Sequence, residues 1–463
     1  MEKAWEREFE LRRGARPPSG AASDWTGVGT VLEARKALLS MLWYSEVPGS
    51  RAPERAFVDM IQAWNERGFD VAEAEASIDE AIAANDRGDH GALEVASARI
   101  LAALARAKPE KGNPSWDFAR PESYDDIRAA FPKSRPSLPP LKSGIPERVL
   151  SGWIGQIAGG SYGTALEGYT GDVLRETFGE RMSGYVVPPE SLNDDVTYEL
   201  AALRAIEESG DGFSALDVGR EWLRIIPFGW SAEMIALDNL RRGVMPPASG
   251  REGNWFSEWI GAQMRTMVHG FVAAGDPDRA ASYAWRDSVV SHTGNGVYGG
   301  IHAAVMTSLA FRYDDARELL AASRAWIPDG TEFASVFDEA LAAARASEGA
   351  VEAWKRVEPR FRRFNWIHVF PNLAAVVIGL WFSRGDIGTA FRAVADCGLD
   401  VDCNAGEVGS ILGAMNGYVG TAWSDPLGGV LETYVPGYER VTFEELRDWT
   451  MRVSDRAARE AGR

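Results

Sequence analysis

Cysteine is almost absent from this 463-residue chain: Cys397 and Cys403 are the only two. A bridge between them would close a loop too short to restrain so long a chain, so both are expected as free thiols in a reducing, cytoplasmic setting. Histidine is scarce as well. Its five copies form no HExxH array and accompany no CxxC pair, which excludes the familiar zinc-enzyme patterns. No apolar run approaches the ~20 residues that span a bilayer. The opening MEKAWEREFELRR is charged and lacks the apolar core of a signal peptide, so neither a membrane partner nor a secretory leader is expected. Basic residues are outnumbered, 49 Lys and Arg against 67 Asp and Glu, for a net charge of −18. Such a surface repels phosphodiester backbones and excludes nucleic acid as a partner, whereas local clusters of carboxylates can gather cations. Period-two alternation and fixed-period repeats are also missing, which leaves an all-α fold.

What is present is helical spacing. Apolar residues recur at three- and four-residue intervals in VLEARKALLSMLWYSE, APERAFVDMIQAWNERG and EVASARILAALARAK, so residues 1–108 are expected to form an N-terminal helical extension. Residues 109–146 are dense in proline, which blocks both helix and central strand, and are expected as a linker or wrapped arm. Residues 147–463 return to helices punctuated by Gly and Pro. Two of these helices carry glycine along one face. In WIGQIAGGSYGTALEG the glycines are Gly155, Gly159 and Gly163; in NAGEVGSILGAMNGYVG they are Gly406, Gly409, Gly413, Gly417 and Gly420. Each glycine inside a helix costs about 0.5–1 kcal/mol relative to alanine. A stripe of them is tolerable where it lets another backbone come close, so both helices are expected to be central and tightly packed. Glycine-rich loops are the alternative.

Carboxylates gather in two places. In SLNDDVTYELAALRAIEESG, Asn193 is a favourable N-cap that puts Asp194 and Asp195 in a first helical turn, with Gly210 as the stop. In DVDCNAGEVG, Asp400 and Asp402 precede a helix of buried character. Acidic residues at a helix start complement its dipole and need no function. Two such pairs, each beside an Asn, with no Lys or Arg near Asp400 and Asp402, point further, because buried carboxylates must be paired, solvated or metal-bound. Oxygen donors at this density suit Mg²⁺, Mn²⁺ or Ca²⁺. Glu167, in GTALEGYTG, is a third candidate, flanked by glycines that leave room for a substrate. Tyr162, Tyr169, Trp230, Trp255, Trp259 and Tyr298 lie near these segments; aromatics at helical spacing are mostly core.

Together these segments resemble the ADP-ribosylglycohydrolases, of the dinitrogenase reductase-activating kind. GQIAGGSYGTALEG is similar to that family's opening helix, with Glu167 at its acidic position. NDDVTYE resembles the T-D-D-T metal motif, and DVDCN…GSILGAMNG the closing D-x-D-T…GAxxGA motif. GAQMR and SHTGNGVYGG resemble segments between them. The resemblance spans about 150–425 and says nothing of the extension. It implies a compact orthogonal helical bundle with a dinuclear metal cleft. It implies two divalent cations, Mg²⁺ first with Mn²⁺ or Ca²⁺ as alternatives, at Asn193, Asp194, Asp195, Asp400, Asp402 and Cys403. Glu167 would be catalytic, and Ser291, His292, Asn295 and Gly296 would bind substrate. The implied activity is hydrolysis of the anomeric bond of an ADP-ribosylated or related ribosylated small molecule or protein. A smaller riboside as substrate, or a non-catalytic ADP-ribose or nucleotide binder, are the alternatives. Asn193, Val196 and Cys403 stand where the family has threonine, and a thiol is a poor ligand for a hard cation. Oligomeric state is left open.

Overall fold

The computed structural model describes residues 3–16 and 28–461. Helices account for the fold, as expected, and the strands among the described residues are three short antiparallel pairs. One of these, Tyr169–Thr170 with Gly398–Leu399, joins the segment after Glu167 to the segment before Asp400.

At the centre lie two antiparallel helices, Ile145–Gly163 and Val401–Asn416. Their glycine stripes face each other. A Cβ on Gly155 would meet Gly409 O at 2.1 Å, one on Gly159 would meet Ala405 O at 2.1 Å, and one on Gly163 would meet Asp402 Cα at 2.2 Å. Further along, Gly413 abuts Ser151 O. Glycine is required here because backbone touches backbone, and this repays its poor helical propensity. Gly417 ends the second helix in the left-handed conformation at φ 77°; Gly420 N-caps the next short helix and lies outside the stripe.

Around this pair the other helices bury a single large apolar core. The Asp194–Ser209 helix begins where its residues indicate: Asn193 Oδ1 accepts from the Asp195 N–H at 2.8 Å, and Gly210 ends it. In the extension, helices Val28–Trp43, Ala56–Glu66 and His90–Arg106 build a second core around Trp43, Phe57, Leu93 and Ile100. Trp255, Phe256 and Trp259 of the main body complete that core. The proline-dense stretch carries two short helical turns, Pro114–Asp117 and Tyr124–Ala129, each started by a side-chain cap, from Asn113 and Ser123. Beyond them it runs extended over the body: the Lys142 N–H donates to Phe311 O at 3.0 Å, and Arg135 Nη1 donates to Ala325 O at 2.7 Å. Cys397 and Cys403 are both free and buried.

Candidate functional site

The tight pairing of the two glycine-faced helices fixes where the carboxylates meet. Gly163 ends the first helix against Asp402, and Glu167 follows one turn later, its N–H donating to Gly163 O at 3.0 Å. The Gly168 N–H donates to Leu399 O at 2.9 Å, which locks the Glu167 turn to the approach to Asp400. Leu399 holds a left-handed backbone, φ 72°, a conformation that a side-chain-bearing residue adopts only where its surroundings impose it.

The Asp194–Ser209 helix points its first turn at the same place. Asn193 Nδ2 donates to Asp402 Oδ2 at 3.2 Å, and the Cys403 thiol donates to Asp195 Oδ1 at 3.4 Å. The ligand atoms of Asp400, Asp402 and Cys403 lie within 4.8 Å of one another, and all three residues are buried. Asp400 Oδ1 and Asp402 Oδ1 are buried with no hydrogen-bond partner among the described residues, a condition that is costly unless something else fills those lone pairs.

Charge repulsion tells the same story. Burial, and then the Asp402 carboxylate, push Asp194 up to about 6. Asp195 and Asp402 are raised well above the usual carboxylate range by burial and by neighbouring carboxylates. Burial also raises Asp400. Glu167 is raised well above its ordinary value by burial, then by Asp402, Asp400, Asp194 and Asp195 in that order. Five carboxylates gathered at one buried place repel one another strongly in a low dielectric. Hard oxygen donors, unpartnered lone pairs and mutual repulsion together fit divalent cations. Cys403 fits less well: burial and the adjacent carboxylates push its thiol up, so it stays protonated as a donor to Asp195.

These groups form the floor of a cleft of ≈ 370 Å³. One wall is aromatic. Phe228 and Tyr434 stack with centroids 4.5 Å apart, and Trp230 meets Phe228 edge-on at 6.0 Å. Of the aromatics singled out in the sequence, Trp230 lines the cleft; Tyr162, Trp255, Trp259 and Tyr298 are buried in the cores. Tyr169 instead donates to Ser50 O at 3.1 Å. Phe228, Tyr434 and Trp366 also line the cleft and were not singled out, although Pro227-Phe228-Gly229-Trp230 breaks helical spacing and so carries the signal of aromatics held outside a helix core.

Ser291, His292, Asn295 and Gly296 are placed behind the cleft and do not line it. Ser291 Oγ accepts from Arg265 Nη2 at 2.9 Å and bonds His292 Nδ1 at 2.7 Å. Asn295 donates to Glu258 Oε2 at 2.8 Å, and Gly296 packs on Ser257 O. Burial, then Arg265, hold His292 well below the ordinary histidine range, so it is a neutral, enclosed ring. This layer reaches the cleft through Glu233, a lining residue that pairs with the fully buried Arg265 at 2.6 Å. Arg265 also grips Asp287 at 2.9 Å and lies over the Trp222 ring at 4.8 Å.

Residues 141–461 match the family described as ADP-ribosylglycohydrolase. Among solved structures, the chain is similar to one described as an ADP-ribosylglycohydrolase-related protein complex, at 20% identity and a TM-score of 0.47, over 68% of this chain and 100% of that one. No curated protein matches the chain.

Proposed function

The chain belongs to the ADP-ribosylglycohydrolase family, and from that premise we propose that it hydrolyses the anomeric bond of a ribosylated substrate in the acidic cleft. The observation that carries this reading is the convergence of Glu167 with the Asp194–Asp195 and Asp400–Asp402 pairs, two of whose buried oxygens lack a partner among the described residues. Asn193, Asp194, Asp195, Asp400 and Asp402 would hold two divalent cations, for which oxygen donors favour Mg²⁺, with Mn²⁺ or Ca²⁺ as alternatives. Bound there, such cations supply Lewis-acid polarisation of ribose hydroxyls and of water.

The remaining work falls to the chain itself. Asn193 holds two helices in register, capping one through Oδ1 and donating to Asp402 through Nδ2. Cys403 orients Asp195 through its thiol proton. The carboxylate floor favours the positive charge that builds on the ribosyl ring as its glycosidic bond loosens. Glu167, on a turn fixed at both ends, takes the proton of the water that adds at C1.

Product release from ribosylated compounds, followed by mass spectrometry with Mg²⁺, Mn²⁺, Ca²⁺ or a chelator, tests the reading. Cleavage should require a divalent cation and vanish in Asp194→Ala. Glu167→Gln should keep cation affinity while lowering kcat by about 10²–10⁴-fold. Cleavage that survives both chelator and Asp194→Ala would sink the proposal. Ligand retained unchanged with cation present would favour a non-catalytic binder.

A further inference from the structure

The residues that match the family begin at 141, yet part of the cleft wall comes from far ahead of that point. The antiparallel pair Ser45–Glu46 and Pro53–Glu54 places Val47, Pro48, Gly49 and Glu54 in the cleft lining. This hairpin is fixed, not draped. Gly49 stands at φ 90° so close to the body that a Cβ would meet Thr164 Cγ2 at 2.3 Å, and a Cβ on Gly168, next to Glu167, would meet Ala52 Cβ at 2.5 Å. Tyr169 Oη donates to Ser50 O at 3.1 Å.

Charge is the second observation. Beside the five carboxylates of the floor, Glu54, Glu190 and Glu233 line the cleft, and no Lys, Arg or His among the described residues does. Glu233 pairs with Arg265, whose charge it shares with Asp287. Glu54 accepts a hydrogen bond from Ser45 Oγ at 2.8 Å, and neither it nor Glu190 forms an ion pair with a described residue. Two divalent cations would offset four charges of the floor and leave the rim negative. A diphosphate entering this cleft finds no basic side chain to receive it and meets Glu54 instead.

The third observation is the open aromatic wall. Phe228 is 44% exposed and Trp230 38%, and both line the cleft that Glu54 also lines. Trp230 and Glu54 also line one small recess next to it. An aromatic face next to a carboxylate attracts a planar cation. The volume, ≈ 370 Å³, lies at the small end of ligand pockets, which run ~300–1,000 Å³.

Resting on the hydrolase reading above, we propose that the cleft takes a small riboside whose base is a planar cation while attached to the ribose, and which carries no diphosphate. The ring lies against Phe228 and Trp230, and Glu54 of the extension faces its charge. Cleavage sends the electron pair of the C1–N bond to the ring nitrogen, so the leaving group departs neutral and needs no proton. Water adds at C1 and gives its proton to Glu167.

Isothermal titration of the full chain in Mg²⁺ separates binding from turnover, using two C-ribosides that cannot be hydrolysed and ADP-ribose. The cationic N-methylpyridinium C-riboside should bind about tenfold or more tighter than its neutral phenyl isostere, with ADP-ribose weaker than both. Glu54→Gln, whose amide oxygen still accepts from Ser45, should cut the cationic preference to about threefold or less. Tighter binding of ADP-ribose than of the cationic probe, no binding of that probe, or an unchanged preference in Glu54→Gln would overturn the inference. Turnover of an N-ribosylpyridinium is read separately: its absence, with the binding preference intact, removes the hydrolase reading and leaves the ligand class standing.

Discussion

Replacing Gly159 by alanine puts a methyl carbon where the facing helix has its backbone. The new Cβ would stand 2.1 Å from Ala405 O, 2.3 Å from its carbonyl carbon and 2.5 Å from Gly406 N. None of these atoms can rotate away. Carbon contacts settle at ~3.5–4.0 Å, so the two central helices must part by on the order of 1 Å at this level. Alanine returns about 0.8–1.0 kcal/mol through better helix propensity, while overpacking a close contact costs about 1–3 kcal/mol and more where backbone is the obstacle. The net expectation is a loss of roughly 1–2 kcal/mol in urea unfolding. Function should fall with it. One turn on, Gly163 abuts Asp402, so parting the helices carries Asp400 and Asp402 away from Glu167 and lowers Mg²⁺ affinity in a direct titration. Gly91→Ala, also in a helix but with nothing nearer to the new Cβ than its own N-cap, Asp89 Oδ1, at 3.7 Å, serves as the control and should be neutral or mildly stabilising. A urea midpoint for Gly159→Ala at or above that of the parent, with an unchanged slope, would refute the close-packing argument.

Two further outcomes are expected. Burial pushes Glu66, at the contact between extension and body, up to about 8, against the pull of the Asn365 N–H it accepts. Because this folded value lies above the unfolded one of ~4.3, the proton's contribution is complete below the unfolded value and is lost as pH rises through about 8. Thermal stability should therefore decline over that window and Glu66→Gln should flatten the decline; an identical pH profile in the variant would contradict it. Arg265→Met strips the cation from Glu233 and Asp287, both buried, and should cost about 3–5 kcal/mol in chemical denaturation. A loss under about 1 kcal/mol would mean that these carboxylates find other partners or protons.

The helical class of this protein, the starts of its key helices and the carboxylates of its cleft were legible because each depends on short-range chemistry. Asn193 caps the helix that follows it, and glycine at every fourth residue marks a face that touches backbone. What the stripes touch was not legible. That they face each other, antiparallel, and so bring Gly163 to Asp402, is a pairing of residues about 240 positions apart, which no local pattern encodes. The same limit hid the role of the histidine segment, which lies buried behind Glu233 and does not line the cleft. It also hid the hairpin of the extension, whose residues 45–54 lie in a stretch expected to be helical. Sequence by itself determined which groups this protein owns: a surplus of carboxylates, free thiols and small residues on helix faces. Only the tertiary structure decided which of those groups share a cleft and which charges there go unanswered, because burial and Coulomb repulsion act through space between segments that the chain keeps far apart.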